Sequence, residues 1–216
     1  MVKLSVNINK VATLRNSRGG NYPDLLEVAS DVQNFGADGI TVHPRPDQRH
    51  IKYDDAKMLP QVIFTEYNIE GNPIPEFIDL LKKIKPSQVT LVPDSRDAIT
   101  SNSGWDTIKN KDFLKNVVGD LKSSNIRTSI FVDPIKEMVS GAKEIGTDRI
   151  ELFTEKYAKG YEEDPKKAIK PYWATCPEIL AIFIGPPNWV VSPFPLNKET
   201  TKSRDEFITN QVSLTA

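Results

Sequence analysis

The chain has 216 residues, enough to bury one large core, and its 38% hydrophobic and 26% charged residues are typical of a globular protein. Its 28 Lys and Arg nearly balance 29 Asp and Glu, so the net charge of −1 argues against nucleic acid or an anionic membrane as a partner. A single cysteine, Cys176, excludes an internal disulfide, and the polar N-terminus without a long apolar run predicts a cytoplasmic protein.

Short apolar runs rich in β-branched residues recur along the first 154 residues and predict buried strands. In chain order they are Leu4–Ile8, Gly39–Val42, Tyr67–Ile69, Val89–Val92, Thr128–Val132 and Ile150–Phe153. Between them, apolar residues three or four positions apart predict amphipathic helices. The predicted apolar faces are Leu25, Val28, Val32 and Phe35; Phe77, Leu80, Leu81 and Ile84; and Ile135, Met138, Val139 and Ile145. A further helix is expected to start near Trp105.

The alternation of strand and helix predicts a parallel sheet with right-handed crossovers. A doubly wound open sheet and a (β/α)8 TIM-type barrel both fit this pattern. The first strand leads into NINKVATLRNSRGG, which lacks the glycine-rich dinucleotide fingerprint. Six units within 154 residues leave room for two more, and this favours the α/β barrel.

Polar side chains follow or end most of the predicted strands. They are Asn7, Asn9, His43, Glu70, Asp94, Asp133 and Glu151. Because barrel enzymes carry their chemistry at the carboxyl ends of the strands, this placement predicts an active site rather than a solvated rim.

Three of these residues have side chains suited to proton transfer. His43 has an ordinary pKa close to neutrality, which suits a general base. Desolvation at a strand end would raise the pKa of Glu70 and make it a second base, although a salt bridge to a nearby arginine is the alternative. Glu151 would either stabilise positive charge in the barrel mouth or have a structural role.

A cationic set surrounds these groups in the sequence and comprises Arg18, Arg45, Arg49 and His50. The planar guanidinium suits phosphate, so a phosphorylated substrate is expected. Thr100 could bond a ligand or cap the helix expected near Trp105. No spacing of a metal site and no nucleophile–base motif occurs, so no metal is expected.

The segments that carry these residues resemble the pyridoxine 5'-phosphate synthase family. GITVHPRPDQRHI (39–51), YNIEGN (67–72) and LVPDSRDAITSNSGWD (91–106) are long and distinctive, and VNINKVATLRNSRGG (6–20) adds to them. The resemblance covers residues 1–172. It implies a transferase-class barrel of vitamin B6 biosynthesis that condenses 1-deoxy-D-xylulose 5-phosphate with 3-amino-2-oxopropyl phosphate, without a cofactor, and forms homo-oligomers, octamers in the family.

The resemblance also implies roles for individual residues. His43 and Glu70 match proton acceptors, and Glu151 matches the residue that stabilises the transition state. The expected contacts to the deoxyxylulose phosphate are Arg45, His50 and Thr100, with Asn9 and Lys10 beside them; those to the aminoketone phosphate are Asn7 and Arg18. The Arg18 loop would reach toward a neighbouring subunit.

Two departures from the family pattern stand out. The commoner family sequence has Asp-His where this chain has Asn9-Lys10. Residues 173–216 form a divergent tail, so that the last two βα units would be aberrant or incomplete, and its polar end fits either a solvated helix or disorder. The family's proton donor is a histidine after the seventh strand, yet this sequence has no histidine beyond His50.

Three functions are therefore open at this point. The first is a pyridoxine 5'-phosphate synthase. The second is a catalytically impaired member that acts as a phosphosugar-binding or subunit-interaction protein. The third is another phosphate-handling lyase or isomerase on the same barrel.

Overall fold

The computed structural model describes residues 3–94 and 103–179. Within these ranges six strands alternate with helices, as the sequence predicts. The strands are β1 (Ser5–Asn7), β2 (Gly39–Val42), β3 (Glu66–Gly71), β4 (Gln88–Leu91), β5 (Arg127–Val132) and β6 (Arg149–Leu152). The helices are α1 (Asn9–Ser17), α2 (Leu25–Asn34), α3 (Tyr53–Met58), α4 (Pro75–Ile84), α5 (Lys111–Ser123), α6 (Lys136–Ile145), α7 (Glu155–Tyr161), α8 (Pro165–Ala168) and α9 (Lys170–Ile179).

The strand order distinguishes the two architectures that the sequence left open. Every neighbouring pair is parallel, and the spatial order β1-β2-β3-β4-β5-β6 follows the chain. A doubly wound sheet would reverse its order at a switch point, whereas a barrel winds in one direction. Arg149 of β6 reaches across the interior to Glu66 of β3, so the sheet curls as a barrel wall does. The barrel prediction is confirmed for the described residues, which form a curled, incomplete barrel.

The strands are buried on both faces because helices cover the outside of the sheet. Outward side chains such as Ile40, Ile69 and Leu91 form one apolar core with α2, α4 and α5. The inward side chains are polar instead. Asn68 accepts a hydrogen bond from Thr90 (Oγ1 to Oδ1, 3.2 Å) and donates one to Thr41 (Nδ2 to Oγ1, 3.3 Å). Side chains on three neighbouring strands thus satisfy one another's hydrogen bonds inside the barrel.

A cluster of charged side chains fills the barrel interior at the amino-terminal ends of the strands. Glu66 bonds Arg149 (Oε1 to Nη1, 3.0 Å) and also forms an ion pair with Arg127. Gln88 Oε1 accepts hydrogen bonds from both guanidinium groups, at 3.0 Å from Arg127 Nε and 2.9 Å from Arg149 Nη1. The Glu66 carboxylate of β3 and the Gln88 amide of β4 therefore bind the arginines of β5 and β6, and the cluster links four strands.

The predicted helix faces are largely confirmed, with two errors: Phe35, and Ile135, which is 47% exposed because it precedes the first residue of α6. Phe77, Leu80 and Leu81 of α4 are buried, as expected. Phe35 is 86% exposed, because α2 ends at Asn34 and the chain turns away at Gly36, where φ is +99°. A regular spacing in the sequence cannot show where a helix stops.

The helix expected near Trp105 begins instead at Lys111, after a turn that Asp106 stabilises through the backbone N–H of Lys109 (2.9 Å). The residue at the N-cap of α5 is Asn110, and Thr100, which is expected to bond a ligand or cap a helix near Trp105, lies outside the described residues.

Most of the predicted tail, from residue 180 onward, also lies outside them. The boundary at residues 172 and 173 thus stays a prediction. In the ranges that the structure covers, no helix is long and apolar enough to cross a bilayer.

Candidate functional site

Three titratable side chains converge at the carboxyl ends of the strands. His43 directly follows β2, Glu70 is the penultimate residue of β3, and Glu151 lies in β6. They are only 8%, 1% and 3% exposed, respectively. His43 Nδ1 lies 4.0 Å from Glu70 Oε2, so the structure brings together the two residues that the sequence suggests as bases. At this separation a small movement, or a bridging water, completes a hydrogen bond.

His43 is a neutral imidazole near pH 7. Burial, followed by the nearby charge of Arg45, lowers the pKa of His43 to about 3. Both effects disfavour the imidazolium. A neutral ring has a free nitrogen lone pair, so His43 can accept a proton from a bound substrate.

Glu151 is shifted in the opposite direction. Burial raises the pKa of Glu151 to about 7, although a hydrogen bond from Thr90 favours the carboxylate. Glu151 Oε1 has no hydrogen-bond partner among the described residues. A carboxyl group poised near neutrality, with an oxygen still available, can release or take up a proton during a reaction.

The loop from His43 to His50 carries the cations that the sequence suggests for phosphate. Arg45 is buried and bonds Asp94 (Nη1 to Oδ2, 2.9 Å), which follows β4 in the same cleft. Arg49 pairs with Asp47 at the exposed edge of the loop. The rings of His43 and His50 lie 6.0 Å apart, centroid to centroid. The predicted base and the residues predicted to bind phosphate therefore share one short loop.

His50 has a defined tautomer in this arrangement. Its Nδ1 accepts a hydrogen bond from the backbone N–H of Ile51 (2.9 Å). Burial first, then the charge of Arg45, lowers the pKa of His50 to about 4, so the ring is neutral near pH 7. The single ring proton must then reside on Nε2, which can donate to an anion.

The start of α1 lies against this loop. Asn9 Oδ1 accepts a hydrogen bond from the backbone N–H of His43 (2.8 Å), and Asn7 Oδ1 accepts one from the N–H of Asn9 (2.9 Å). Lys10 is exposed and close enough for its charge to help lower the pKa of His50. The structure therefore places Asn9 and Lys10 beside the His43–His50 loop, with Asn7 next to Asn9.

Arg18 does not join this group in the described structure. It is the exposed residue that ends α1. It lies nine positions after Asn9, or roughly 14 Å along the helix axis at 1.5 Å per residue. Its expected contact to the second phosphate stays a prediction.

Two clefts open at opposite ends of the curled sheet. The cleft at the carboxyl ends has a volume of about 270 Å³ and is lined in part by His43, Arg45, Tyr53 and Asp94. A cleft of about 350 Å³ lies at the amino ends, where the lining groups bond one another. We assign the site to the end of the sheet where the smaller cleft lies, because that cleft is lined by His43 and by the ion pair of Arg45 with Asp94.

Sequence reasoning missed two contributors to this site. The sequence identifies Asp94 only as a strand-end carboxylate, but it is the buried partner of Arg45. Asn16 carries no signal of its own in the sequence, although it bonds the backbone of the His43–His50 loop. Only the seven-residue interval between Asn9 and Asn16 could have indicated this role. Among residues 3–94 and 103–179, no group of three or more His, Cys, Asp or Glu is placed to hold a metal.

Comparison with known proteins agrees with this geometry. The family described as "Pyridoxal phosphate biosynthesis protein PdxJ" matches residues 4–180. Pyridoxine 5'-phosphate synthase of Christiangramia forsetii is 60% identical over 179 residues, which cover 83% of this chain and 75% of that protein. The enzyme of the same name from Flavobacterium johnsoniae is 63% identical over 172 residues, covering 80% of this chain and 73% of the relative.

Solved structures extend the comparison of the fold alone. A mandelate oxidase structure superposes with a TM-score of 0.54 at 8% identity, and covers 84% of this chain and 64% of the oxidase. A second structure of that enzyme gives a TM-score of 0.52 at 9% identity, with 84% of this chain and 65% of the oxidase covered. The chain thus spans just under two thirds of these proteins, and identities this low show a shared fold only.

Proposed function

The chain belongs to the PdxJ family of pyridoxal phosphate biosynthesis proteins, and on that premise we propose that it is a pyridoxine 5'-phosphate synthase. It would condense 1-deoxy-D-xylulose 5-phosphate with 3-amino-2-oxopropyl phosphate to give pyridoxine 5'-phosphate, inorganic phosphate and water. The observation that carries the proposal is the 4.0 Å approach of His43 and Glu70 at buried strand ends beside His50, with buried Glu151 bonded to Thr90, the neighbour of Glu70 on β4.

The chemistry of ring formation matches these side chains. Joining an amine to a ketone gives an imine and releases water, and closing the ring requires further proton removal and loss of water. Such steps need groups that accept and return protons in a pocket from which bulk water is excluded. His43 is a neutral acceptor, Glu70 lies 4.0 Å from it, and Glu151 titrates near pH 7.

The loop cations support binding of the first substrate. Arg45 presents a buried guanidinium, and His50 presents an Nε2 donor on the same loop. Lys10 adds an ammonium group at the exposed edge. Together these three donors suit the phosphate of the deoxyxylulose substrate. Thr100, which the resemblance adds to this set, stays a prediction.

The second phosphate would be bound across a subunit boundary. Asn7 lies at the end of β1, whereas Arg18 lies at the far end of α1. We therefore propose a homo-oligomer in which Arg18 of one subunit serves the site of another. Leu14 and Tyr22, 53% and 74% exposed on either side of Arg18 in the sequence, would be covered in such an assembly. Light scattering of the purified protein would test this, and a monomer at micromolar concentration would contradict it.

A binding-only member of the family is the second candidate. The observation that favours it is the position of both histidines within residues 43–50, because the family's donor histidine then has no counterpart in this sequence. The two candidates differ in one experiment. Both predict calorimetric binding of 1-deoxy-D-xylulose 5-phosphate, but only the synthase forms pyridoxine 5'-phosphate when the aminoketone phosphate is added. The cytoplasmic location also stays a prediction, which cell fractionation would test.

A further inference from the structure

Helix α1 carries two asparagines that contact the two ends of the His43–His50 loop. Asn9 Oδ1 accepts from the backbone N–H of His43 at 2.8 Å. Asn16 Nδ2 donates to the backbone oxygens of His50 (2.8 Å) and Arg49 (3.2 Å). A separation of seven residues brings the two side chains to the same face of a helix, roughly 10 Å apart. The helix therefore fixes the distance between the start and the end of the loop.

The orientation of the Asn16 amide is itself fixed. Arg15 donates to Asn16 Oδ1 from Nε (3.2 Å) and Nη2 (3.0 Å), so the amide oxygen must face the guanidinium and Nδ2 must face the loop. Arg15 is buried and bonds Asp55 through two parallel hydrogen bonds of 2.7 Å. Asp55 Oδ2 also accepts from the backbone N–H of Lys52 (2.7 Å), which leads into α3. A chain of charge-assisted bonds thus connects α3 with Asn16.

These contacts control where the His50 ring points. Asn16 holds the carbonyl of His50, and the N–H of Ile51 occupies Nδ1 of the ring. With the backbone and one ring nitrogen both engaged, Nε2 is left as the donor that faces a ligand. We propose that Asn16 is a positioning residue for phosphate binding: supported by Arg15 and Asp55, it holds the His43–His50 loop so that His50 Nε2–H meets the substrate phosphate. This inference rests on the proposed function, which supplies the phosphorylated ligand.

The Asn16→Asp variant isolates the contact to the loop. It keeps an oxygen for Arg15 but replaces the Nδ2 donor by a carboxylate oxygen that faces two carbonyl oxygens. Asn110→Asp is a matched control, since Asn110 Nδ2 also donates to a backbone carbonyl, that of Asp106 (2.9 Å), away from the site. Asp55→Asn is a milder variant that leaves Asn16 in place but weakens the bonds of Asp55 to Arg15 and to the N–H of Lys52.

The two histidines of the chain make a direct measurement possible. Their imidazole signals can be followed by NMR and assigned with a His43→Gln variant, while inorganic phosphate or 1-deoxy-D-xylulose 5-phosphate is added. We expect Asn16→Asp to need about tenfold more of either ligand than wild type to shift the His50 signal, as loss of the ordering hydrogen bonds implies. Asn110→Asp should match wild type, and Asp55→Asn should fall between the two.

The outcomes separate positioning from general stability. If Asn16→Asp responds to phosphate as wild type does, the proposal is overturned. If that variant does not fold, Asp55→Asn decides: a weakened response supports the proposal and a wild-type response overturns it. A wild-type protein whose His50 signal ignores both ligands also overturns it, whereas failure of the proposed function is read separately, from the absence of pyridoxine 5'-phosphate with both substrates present.

Discussion

Burial shifts the pKa of His43 and of Glu151 in opposite directions, and each shift has a consequence for stability. The pKa of Glu151 rises to about 7 in the folded chain, so between pH 4.5 and 7 the folded state binds more protons than the unfolded state. The stability that comes from a protonated Glu151 is therefore fully present below pH 4.5 and is lost as the pH rises through 7. For His43, whose pKa falls to about 3, the stability is present above pH 6.5 and is lost as the pH falls toward 3.

We predict that Glu151→Gln removes the first of these effects. When the pH is raised from 4.5 to 7.5, the free energy of unfolding of the variant should increase relative to that of wild type. The increase should be on the order of 1.4 kcal/mol for each unit of pKa shift that is removed. Urea denaturation of both proteins at the two pH values measures the difference. If the difference in free energy of unfolding between the two proteins is the same at both pH values, Glu151 has an ordinary pKa in the folded protein.

At the residue scale, the sequence is informative wherever chemistry requires a rare side chain. His43 and Glu70 can be identified from their types and strand-end positions, and they lie together. The role of Asn16 cannot be predicted from the sequence, because amides are common on helix surfaces. Its hydrogen bonds to backbone oxygens form only when α1 packs against the His43–His50 loop. The exposure of Phe35 escapes prediction for a related reason, since the end of α2 is set by the turn at Gly36.

At the scale of elements, two glycines illustrate how local packing determines tolerance to substitution. A Cβ on Gly104 would lie 2.3 Å from the Cα of Val132, where the chain packs on the end of β5. Backbone atoms cannot rotate away as a side chain can. Gly119, in the interior of α5, has open space instead, with no neighbouring atom within 4 Å of where a methyl group would lie.

We therefore predict opposite effects for the same substitution at these two positions. Gly104→Ala should destabilise the protein by about 1–3 kcal/mol or more, as overpacking does. Gly119→Ala should stabilise it by roughly 0.5–1 kcal/mol, because alanine loses less conformational entropy in a helix. Thermal and urea unfolding of the two variants provide the comparison, and a tolerated Gly104→Ala would contradict the close approach to β5.

Helices and strands with a strong periodic pattern of apolar residues are predictable from the sequence, whereas short helices with a weak pattern are not. α4 follows its apolar spacing, and the strands agree with their β-branched runs to within two residues. The sequence predicts α1 only as part of a turn, because its nine residues carry a weak apolar pattern. It forms next to β1, where Asn9 and Asn16 bond the neighbouring loop, so tertiary contacts support it more than its own sequence does.

On the scale of the whole molecule, the charge cluster at the amino-terminal end joins strands that are distant in sequence. Glu66 lies between Arg127 and Arg149, and removing it would leave two guanidinium groups facing each other inside the barrel. Glu66→Ala should therefore lower the free energy of unfolding by about 1–3 kcal/mol, since the cluster is only partly screened by solvent. Glu144→Ala, which removes an exposed pair with Lys111, should have no measurable effect. Equal stability of the two variants in urea would contradict a structural role for the cluster.

The parallel pairing of the strands is predictable because six repeated units require it, whereas the spatial strand order that distinguishes a barrel from an open sheet is given by the structure. The charge cluster inside the barrel is not predictable, because Glu66, Arg127 and Arg149 have no feature in the sequence that distinguishes them from surface charges. Their meeting depends on the curl of the sheet.

The central claim is that His43, Glu70 and Glu151 form the site of a pyridoxine 5'-phosphate synthase. The most direct measurement supplies both substrates to the purified, folded protein and follows pyridoxine 5'-phosphate and released phosphate. Glu66→Gln is the matched control for Glu70→Gln, since both glutamates lie on β3, four residues apart, at opposite ends of the barrel interior. We predict turnover by wild type and by Glu66→Gln, with a loss of about 10²–10⁴-fold in Glu70→Gln. No product from the folded wild type, or equal turnover by all three proteins, would contradict the account.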